Sequence, residues 1–518
     1  MFSNCKQLTS VPELPATTLS EGCYSHMFYN CSSLITVPEL PATALANNCY
    51  QYMFQSCTSL TTAPELPATT LASSCYYGMF QGCRSLNYIK CLAVNGINQN
   101  NSTTYWVYDV TSCGVFIKNE NMNNWNRGQN GIPNQWMVKT DFTPNIEITA
   151  ENYIALRSHS NNSYIGMSKI STNQSIYFSK DLTLWVLATS GVCYELNSGE
   201  TLYAIGKLNG DNTSSNYSNF GILRNVSVSG DINSLWDYEN LNVELKRYCG
   251  YNLFYGCTGL VDASGLSLGA SATTLANYCY YYMFGGCTSL TSAPELPATA
   301  LASYCYGGMF YNCTSLTTAP ELPAPELAQY CYNYMFYNCT CLTISPELPA
   351  TTLASYCYNS MFRGCTSLTT APELPAPELE QYCYYYMFDG CSSLTTAPEL
   401  PATTLANYCY SYMFQGCSSL TTAPELPATT LANSCYSYMF NDCTSLATAP
   451  SILPATTLAS SCYSYMFNDC TSLATAPALP ATTLASSCYS HMFYNCTSLA
   501  TAPELPATTL ANWCYSYM

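Results

Sequence analysis

Charge is scarce in this chain: 9% of the 518 residues are Asp, Glu, Lys or Arg, and 14 basic side chains stand against 31 acidic ones. From Asn252 onward Arg363 is the only basic residue, and the formal net charge is −17. A surface of that sign repels nucleic acid and anionic membranes, so neither is expected as a partner. Histidine is nearly absent, with His26, His159 and His491 as the whole supply. That removes the commonest general base and metal ligand. No P-loop and no dinucleotide fingerprint is present. The expectation is therefore no catalytic residue, no metal and no cofactor, in a protein that is not an enzyme. No run of apolar residues approaches the length of a membrane span, so no direct membrane insertion is expected within this segment.

What is abundant is repetition. The stretch Cys57–Gly82, CTSLTTAPELPATTLASSCYYGMFQG, returns through most of the chain. Its phenylalanine falls at Phe2, Phe28, Phe54 and Phe80. The marker resumes at Phe254, Phe284, Phe310, Phe336, Phe362, Phe388, Phe414, Phe440, Phe467 and Phe493. Most steps are 26 residues, with one of 27 where Ile452 is added and one of 30 at the start of the second run. Such a period identifies a solenoid, each period being one coil resting on its neighbours. Within a coil, Cys57, Leu60, Ala63 and Leu66 recur every third residue around a β-prone Thr61-Thr62. Pro64 and Pro67 cannot donate to a sheet ladder, so about three paired residues per coil are expected. Thr69 or Thr70 then caps a helix in which Leu71, Cys75 and Met79 form an apolar face with Ala72, Tyr76 and Phe80. The Gly82 column reads Asn, Ser, Gly or Asp throughout, residues that tolerate a left-handed backbone as a helix C-terminal cap requires. The expected fold is an α/β repeat solenoid of leucine-rich-repeat type, 26-residue coils of short strand plus short helix in two arrays, interrupted by an all-β sandwich domain.

The run GC-x-x-L-x-x-…-L-P-x-x-x-L-…-MF-x-GC resembles the BspA-like (Treponema-type) leucine-rich-repeat proteins of bacterial surfaces. Met-Phe stands where those proteins have Ala-Phe, and the coil is lengthened by Pro-Glu-Leu-Pro. The resemblance implies a cell-surface or secreted adhesion or binding protein, with a host or neighbouring-cell protein or glycan as partner. A phage receptor-binding or virion decoration protein needs the same physics, and a purely structural spacer would show no ligand.

In chain order, residues 1–92 form the first array and 93–140 its C-terminal cap. Strands are expected at Tyr105–Val110, Gly114–Lys118 and Gln135–Lys139, and Trp106, Trp125 and Trp136 bury the open end. GVFIKNENMNNWNRGQNGIPNQW also looks like a closing segment of related repeat proteins. Residues 141–245 change rhythm. Strands at Tyr153–Arg157, Ser175–Phe178, Leu182–Leu187, Val192–Leu196, Thr201–Leu208 and Gly221–Val228 are expected to build a β-sandwich that shields the start of the next solenoid. Residues 246–518 form the second array. Both ends fall within a coil, which suggests a piece of a longer reading frame.

Most of the 32 cysteines lie in two columns, the Cys75 type and the Cys83 type. A helix between them would separate the two members of one coil by ~12 Å, beyond bridging distance. Within a column, neighbours ~5 Å apart could pair, but the expectation is free thiols acting as small buried hydrophobes. Two other columns could bind. Glu295, Glu321, Glu347, Glu373, Glu399 and Glu425 form an acidic stripe, either a calcium site or solvated. The slots of Ser74 and Gly78 lie on the outward side of the expected helix. Tyr278 and Tyr282, Tyr330 and Tyr334, Tyr382 and Tyr386, and Tyr408 and Tyr412 fill them in pairs. Exposed tyrosine suits protein or glycan recognition. Ser74 and Ser360 in the same slots suggest that serine is tolerated there.

Overall fold

The computed structural model describes residues 2–119, 121–122, 125–141, 152–183, 185–209, 212–268 and 274–518. It divides into two compact units, residues 1–144 with 181–187, and residues 145–180 with 188–518. The repeat core lies where the sequence places it. Cys57, Leu60, Leu66, Cys75, Tyr76, Met79 and Phe80 are buried, as are their counterparts through most coils. Ala63 and Leu71 are buried too, while many of their counterparts are only partly so.

The expected helix is not there. Among the described residues the one α-helical turn is Asn233–Trp236. In its place each coil runs a ribbon of tight turns. Met335 N–H donates to the Tyr332 carbonyl at 3.2 Å and Cys339 to Phe336 at 3.1 Å, closing turns three residues back. The alternate amides leave the coil altogether. Tyr332 donates to Cys357, Tyr334 to Asn359, Phe336 to Met361 and Asn338 to Arg363, at 2.7–3.0 Å. To aim every second N–H at a neighbour, the backbone turns left-handed at every fourth residue: φ is +60° at Tyr330, +57° at Tyr334 and +59° at Asn338. All fourteen residues of the Gly82 column have φ between +57° and +76°. That column therefore does carry the left-handed backbone, as the third position of a four-residue series and not as a helix cap.

The prolines limit pairing more than expected. Single bridges such as Thr370↔Thr396 and Glu378↔Thr404 replace the three-residue strands. Where Pro-Glu-Leu-Pro is missing, true strands form. Tyr88–Cys91, Val115–Asn119 and Met137–Asp141 lie in parallel register. The expected strand Tyr105–Val110 is instead a further turn ribbon, in which Phe80 N–H donates to the Trp106 carbonyl at 2.8 Å. Trp106 and Trp136 are buried there, and Trp125 is half-buried with its ring 5.3 Å from that of Trp106.

The middle of the chain is β-rich. Leu260–Ser267, Val226–Asp231, Ile154–Ser158, Thr201–Lys207 and Ser175–Ser179 lie side by side in that order, and Asn219–Leu223, Ser163–Lys169 and Cys193–Leu196 form a second sheet. Alternate residues of both sheets, among them Ile154, Leu156, Ile165, Met167, Phe220 and Ile222, share one core. The expected strand Gly221–Val228 is two strands, parted at Arg224 and Asn225 where φ turns positive. Of Leu182–Leu187 only Val186–Leu187 is strand. Residue 184, and residues 142–151 beside the expected domain boundary, lie outside the described residues.

This β-rich region imitates a coil. Phe220 N–H donates to the Leu253 carbonyl at 2.8 Å, the bond that each repeat phenylalanine makes to the methionine slot of the next coil. The Phe220 ring stacks on Phe254 at 4.9 Å, and the Phe220 carbonyl accepts the Cys257 thiol at 3.3 Å. Gly250 occupies the slot of the buried Tyr76 type. A Cβ there would meet the Tyr280 ring at 2.6 Å, and Trp236 lies 3.5 Å away on the same spot. Phe220 and Trp236 thus continue both buried aromatic columns into the β-rich region.

The cysteines are free, and those of the Cys83 column donate their thiols to the preceding coil's phenylalanine carbonyl, as Cys83 does to Phe54 at 3.0 Å and Cys339 to Phe310 at 3.1 Å. Burial pushes Cys57 up to about 12, which keeps it a neutral donor. Two outcomes follow. Alkylation after denaturation without reductant should label most of the 32 cysteines; labelling of only a few would mean that the columns pair. Phe220→Ala should destabilise the second unit by about 3–5 kcal/mol in chemical denaturation, since it empties the first place of the phenylalanine column.

Candidate binding surfaces

Residues in one slot of the ribbon are displaced by one coil from each other, so side chains there meet face to face. The Ser74 slot becomes a column in which Tyr248, Tyr278, Tyr304, Tyr330, Tyr356, Tyr382 and Tyr408 stack in turn, centroids 4.4–4.7 Å apart. It stops at Ser434. The Gly78 slot is broken at Gly308 and Ser360 and then runs unbroken through Tyr386, Tyr412, Tyr438, Tyr465, His491 and Tyr517 at 4.2–4.7 Å. Tyr385 joins the columns edge-on, 5.2 Å from Tyr382 and 4.4 Å from Tyr386.

Of the tyrosines expected in pairs, Tyr278, Tyr330, Tyr382 and Tyr408 belong to the first column, and Tyr386 and Tyr412 to the second. Tyr282 meets Tyr281 and Tyr311 edge-on, and Tyr334 meets Tyr337 in the same way at 5.8 Å. Reading the slots in pairs overlooked Tyr304, Tyr356, Tyr438 and Tyr465. Following one slot at a time down the 26-residue period finds them all. These rings do not stand free on a helix. Apart from the exposed Tyr517 they are half-buried, and inside each column a ring lies against both faces. Where Ser360 interrupts the second column, Arg363 lies 4.5 Å over the Tyr386 ring and pairs with Asp389 at 2.6 Å.

The glutamate column is exposed. Between successive Pro-Glu-Leu-Pro segments runs a shallow groove, of 490 Å³ between residues 395–401 and 421–427. Grooves of 380 Å³ and 600 Å³ repeat it at 345–349 and at 11–17. Glu425 accepts from the amide and hydroxyl of Ser451, and Glu65 pairs with Lys90 at 3.1 Å. Among the described residues no group of His, Cys, Asp and Glu is arranged to hold a metal ion. His159 sits apart in the β-rich region with its Nε2 2.8 Å from Ser227 Oγ. No described helix is long and apolar enough to cross a membrane.

Comparison with protein families matches residues 1–102, 248–412, 329–474 and 384–517 to the BspA type leucine rich repeat region, in six copies. The chain belongs to the BspA-type leucine-rich repeat family. Comparison with curated proteins and with solved structures found no match. BspA-type repeats typically mediate binding, and the family's architecture here takes the form of turn ribbons bearing aromatic columns.

The columns alter what substitution should cost. Tyr356→Ser removes two ring stacks, and at about 0.5–1.5 kcal/mol per pair the loss should be about 1–3 kcal/mol, measurable by denaturant titration. Burial, and then neighbouring phenols, push Tyr356, Tyr412 and Tyr438 up to about 12, above an unfolded tyrosine near 10. A raised folded value stabilises the protonated fold. The stability is therefore complete below about pH 10 and is lost as pH rises toward 12. Phenolate absorbance and circular dichroism recorded together should change in that window, while titration at pH 10 with the fold intact would contradict it.

Proposed function

We propose that this chain is a non-enzymatic adhesion or ligand-binding protein, displayed at a cell surface or secreted, that recognises a host or neighbouring-cell protein or glycan. The observation that carries this reading is the pair of tyrosine columns, which present a continuous row of phenol edges along the second array. Tyrosine supplies contact area and a hydroxyl with little conformational freedom to lose, and here stacking has already removed most of that freedom. Because the ring faces are occupied, the ligand meets edges and hydroxyls, so recognition rests on hydrogen bonding more than on sugar–ring stacking. The candidate residues are Tyr278, Tyr330, Tyr382, Tyr408, Tyr386 and Tyr412, with Tyr282 and Tyr334 flanking them. The region 141–245 serves in this proposal as a β-sandwich that starts the second array.

One observation favours the alternative of a structural spacer: the columns satisfy one another and need no ligand to order them. The discriminating variant replaces Tyr330, Tyr382, Tyr386 and Tyr412 with Phe, which keeps the stacks and removes the hydroxyls. Glycan-array and host-protein screens of the parent supply the ligand. The variant should then bind at least tenfold more weakly while melting like the parent. Equal binding would remove the columns as the recognition surface, and a parent that binds nothing would support the spacer.

A further inference from the structure

The tyrosine columns hold their rings closer together than the buried phenylalanine column does, whose steps are 5.5–5.7 Å from Phe284 to Phe467. From Tyr248 to Tyr408 the steps are 4.4–4.7 Å, with ring planes within 20° of parallel. From Tyr386 to Tyr465 they are 4.3–4.5 Å. All these tyrosines are half-buried, so each keeps part of its surface in solvent. The parallel Tyr76-type columns are fully buried and wider, at 5.7 Å between Tyr384 and Tyr410. Two phenols of like orientation, one coil apart, bring equivalent ring carbons together.

We propose that the two surface columns are sites of oxidative coil-to-coil crosslinking, forming dityrosine between tyrosines one repeat apart. The oxidant is hydrogen peroxide acting through a haem peroxidase. It takes one electron and one proton from each of two phenols and is itself reduced to two waters. The two tyrosyl radicals pair their unpaired electrons in one carbon–carbon bond between ring carbons ortho to oxygen. Each ortho hydrogen then moves to its phenol oxygen, restoring both rings. The link joins adjacent coils across the direction in which the solenoid would otherwise unzip. Tyr385, in edge contact with both columns, lets a radical formed in one reach a partner in the other.

The sequence supplies a convenient test. A glutamate in each Pro-Glu-Leu-Pro lets a Glu-specific protease cut this part of the array into single coils, with Tyr304 in 296–321, Tyr330 in 327–347, Tyr356 in 348–373 and Tyr408 in 400–425. The full chain is treated at low concentration with peroxide and peroxidase. Dityrosine fluorescence is measured on the monomer band, and the digest is mapped by mass spectrometry. Linked peptides should come from adjacent coils and join Tyr304 to Tyr330, Tyr330 to Tyr356, or Tyr386 to Tyr412. Tyr330→Phe should abolish the two links to position 330 and leave the link between Tyr386 and Tyr412. Absence of dityrosine would overturn the proposal, as would links chiefly between molecules. Links at exposed tyrosines outside the columns, such as Tyr108, in equal yield would overturn it too.

Discussion

One hydrogen-bonding pattern governs this molecule: alternate amides of the turn ribbon donate to carbonyls of a neighbouring coil, most of them 25 residues on. Everything visible at the surface follows from it. The pattern sets the spacing between coils close to that between paired strands, and it gives every slot the same environment in each coil. A side chain placed once is therefore placed many times. Stacked phenylalanines, buried tyrosines, the thiol-to-carbonyl column and the surface tyrosines are four consequences of one geometry. Its cost is a left-handed residue at every fourth position, worth of order 1 kcal/mol or more where that residue is not glycine. Tyrosine is a poor choice on that ground alone. Stacking above and below offsets the strain along the continuous columns, whereas Tyr282 and Tyr334 bear it with edge contacts alone.

Much of this was legible in the sequence. The period, the two arrays, the β-rich interruption and nearly every buried position of the repeat follow from residue types alone. The left-handed column at Gly82 was legible because Asn, Gly, Ser and Asp share little else. The helix was misread because Leu71, Cys75 and Met79 fit a helical face and equally fit a ribbon that repeats every four residues. A true helix drifts from a strict four-residue spacing, and the drift is absent here: Cys83 and the series Ser74, Gly78, Gly82 keep the same step. Tyrosine concealed that series, since a bulky ring at positive φ is uncommon and gives no sequence signal. The strand Ser163–Lys169 escaped because Gly166 and two serines weaken its alternation. The glycine is needed there, a Cβ lying 2.2 Å from the Val192 carbonyl oxygen.

The β-rich region shows how such a solenoid begins. A stack of coils leaves its first layer open, and here Phe220 and Trp236 fill the places that a preceding coil's Phe and Tyr would take. Gly250 is required by the Tyr280 ring, which a Cβ there would strike at 2.6 Å, and Trp236 packs against that same ring. The first array is extended at its other end by non-repeat sequence that keeps the ribbon and, freed of the prolines, adds real strands. The repeats can therefore be joined to different neighbours as long as a ring arrives in each aromatic column. For a binding protein that arrangement separates the parts: buried columns hold the fold, and the outer slots are left to vary.

The coil-to-coil bond is the claim on which the rest stands, and it can be observed directly. In a perdeuterated, segmentally labelled sample, nuclear magnetic resonance detects couplings through a hydrogen bond from amide nitrogen to carbonyl carbon. The Phe336 amide should couple to the carbonyl of Met361, 2.9 Å away in the next coil. Coupling of Phe336 to Tyr332, four residues back in its own coil, would restore the helix and contradict the turn ribbon.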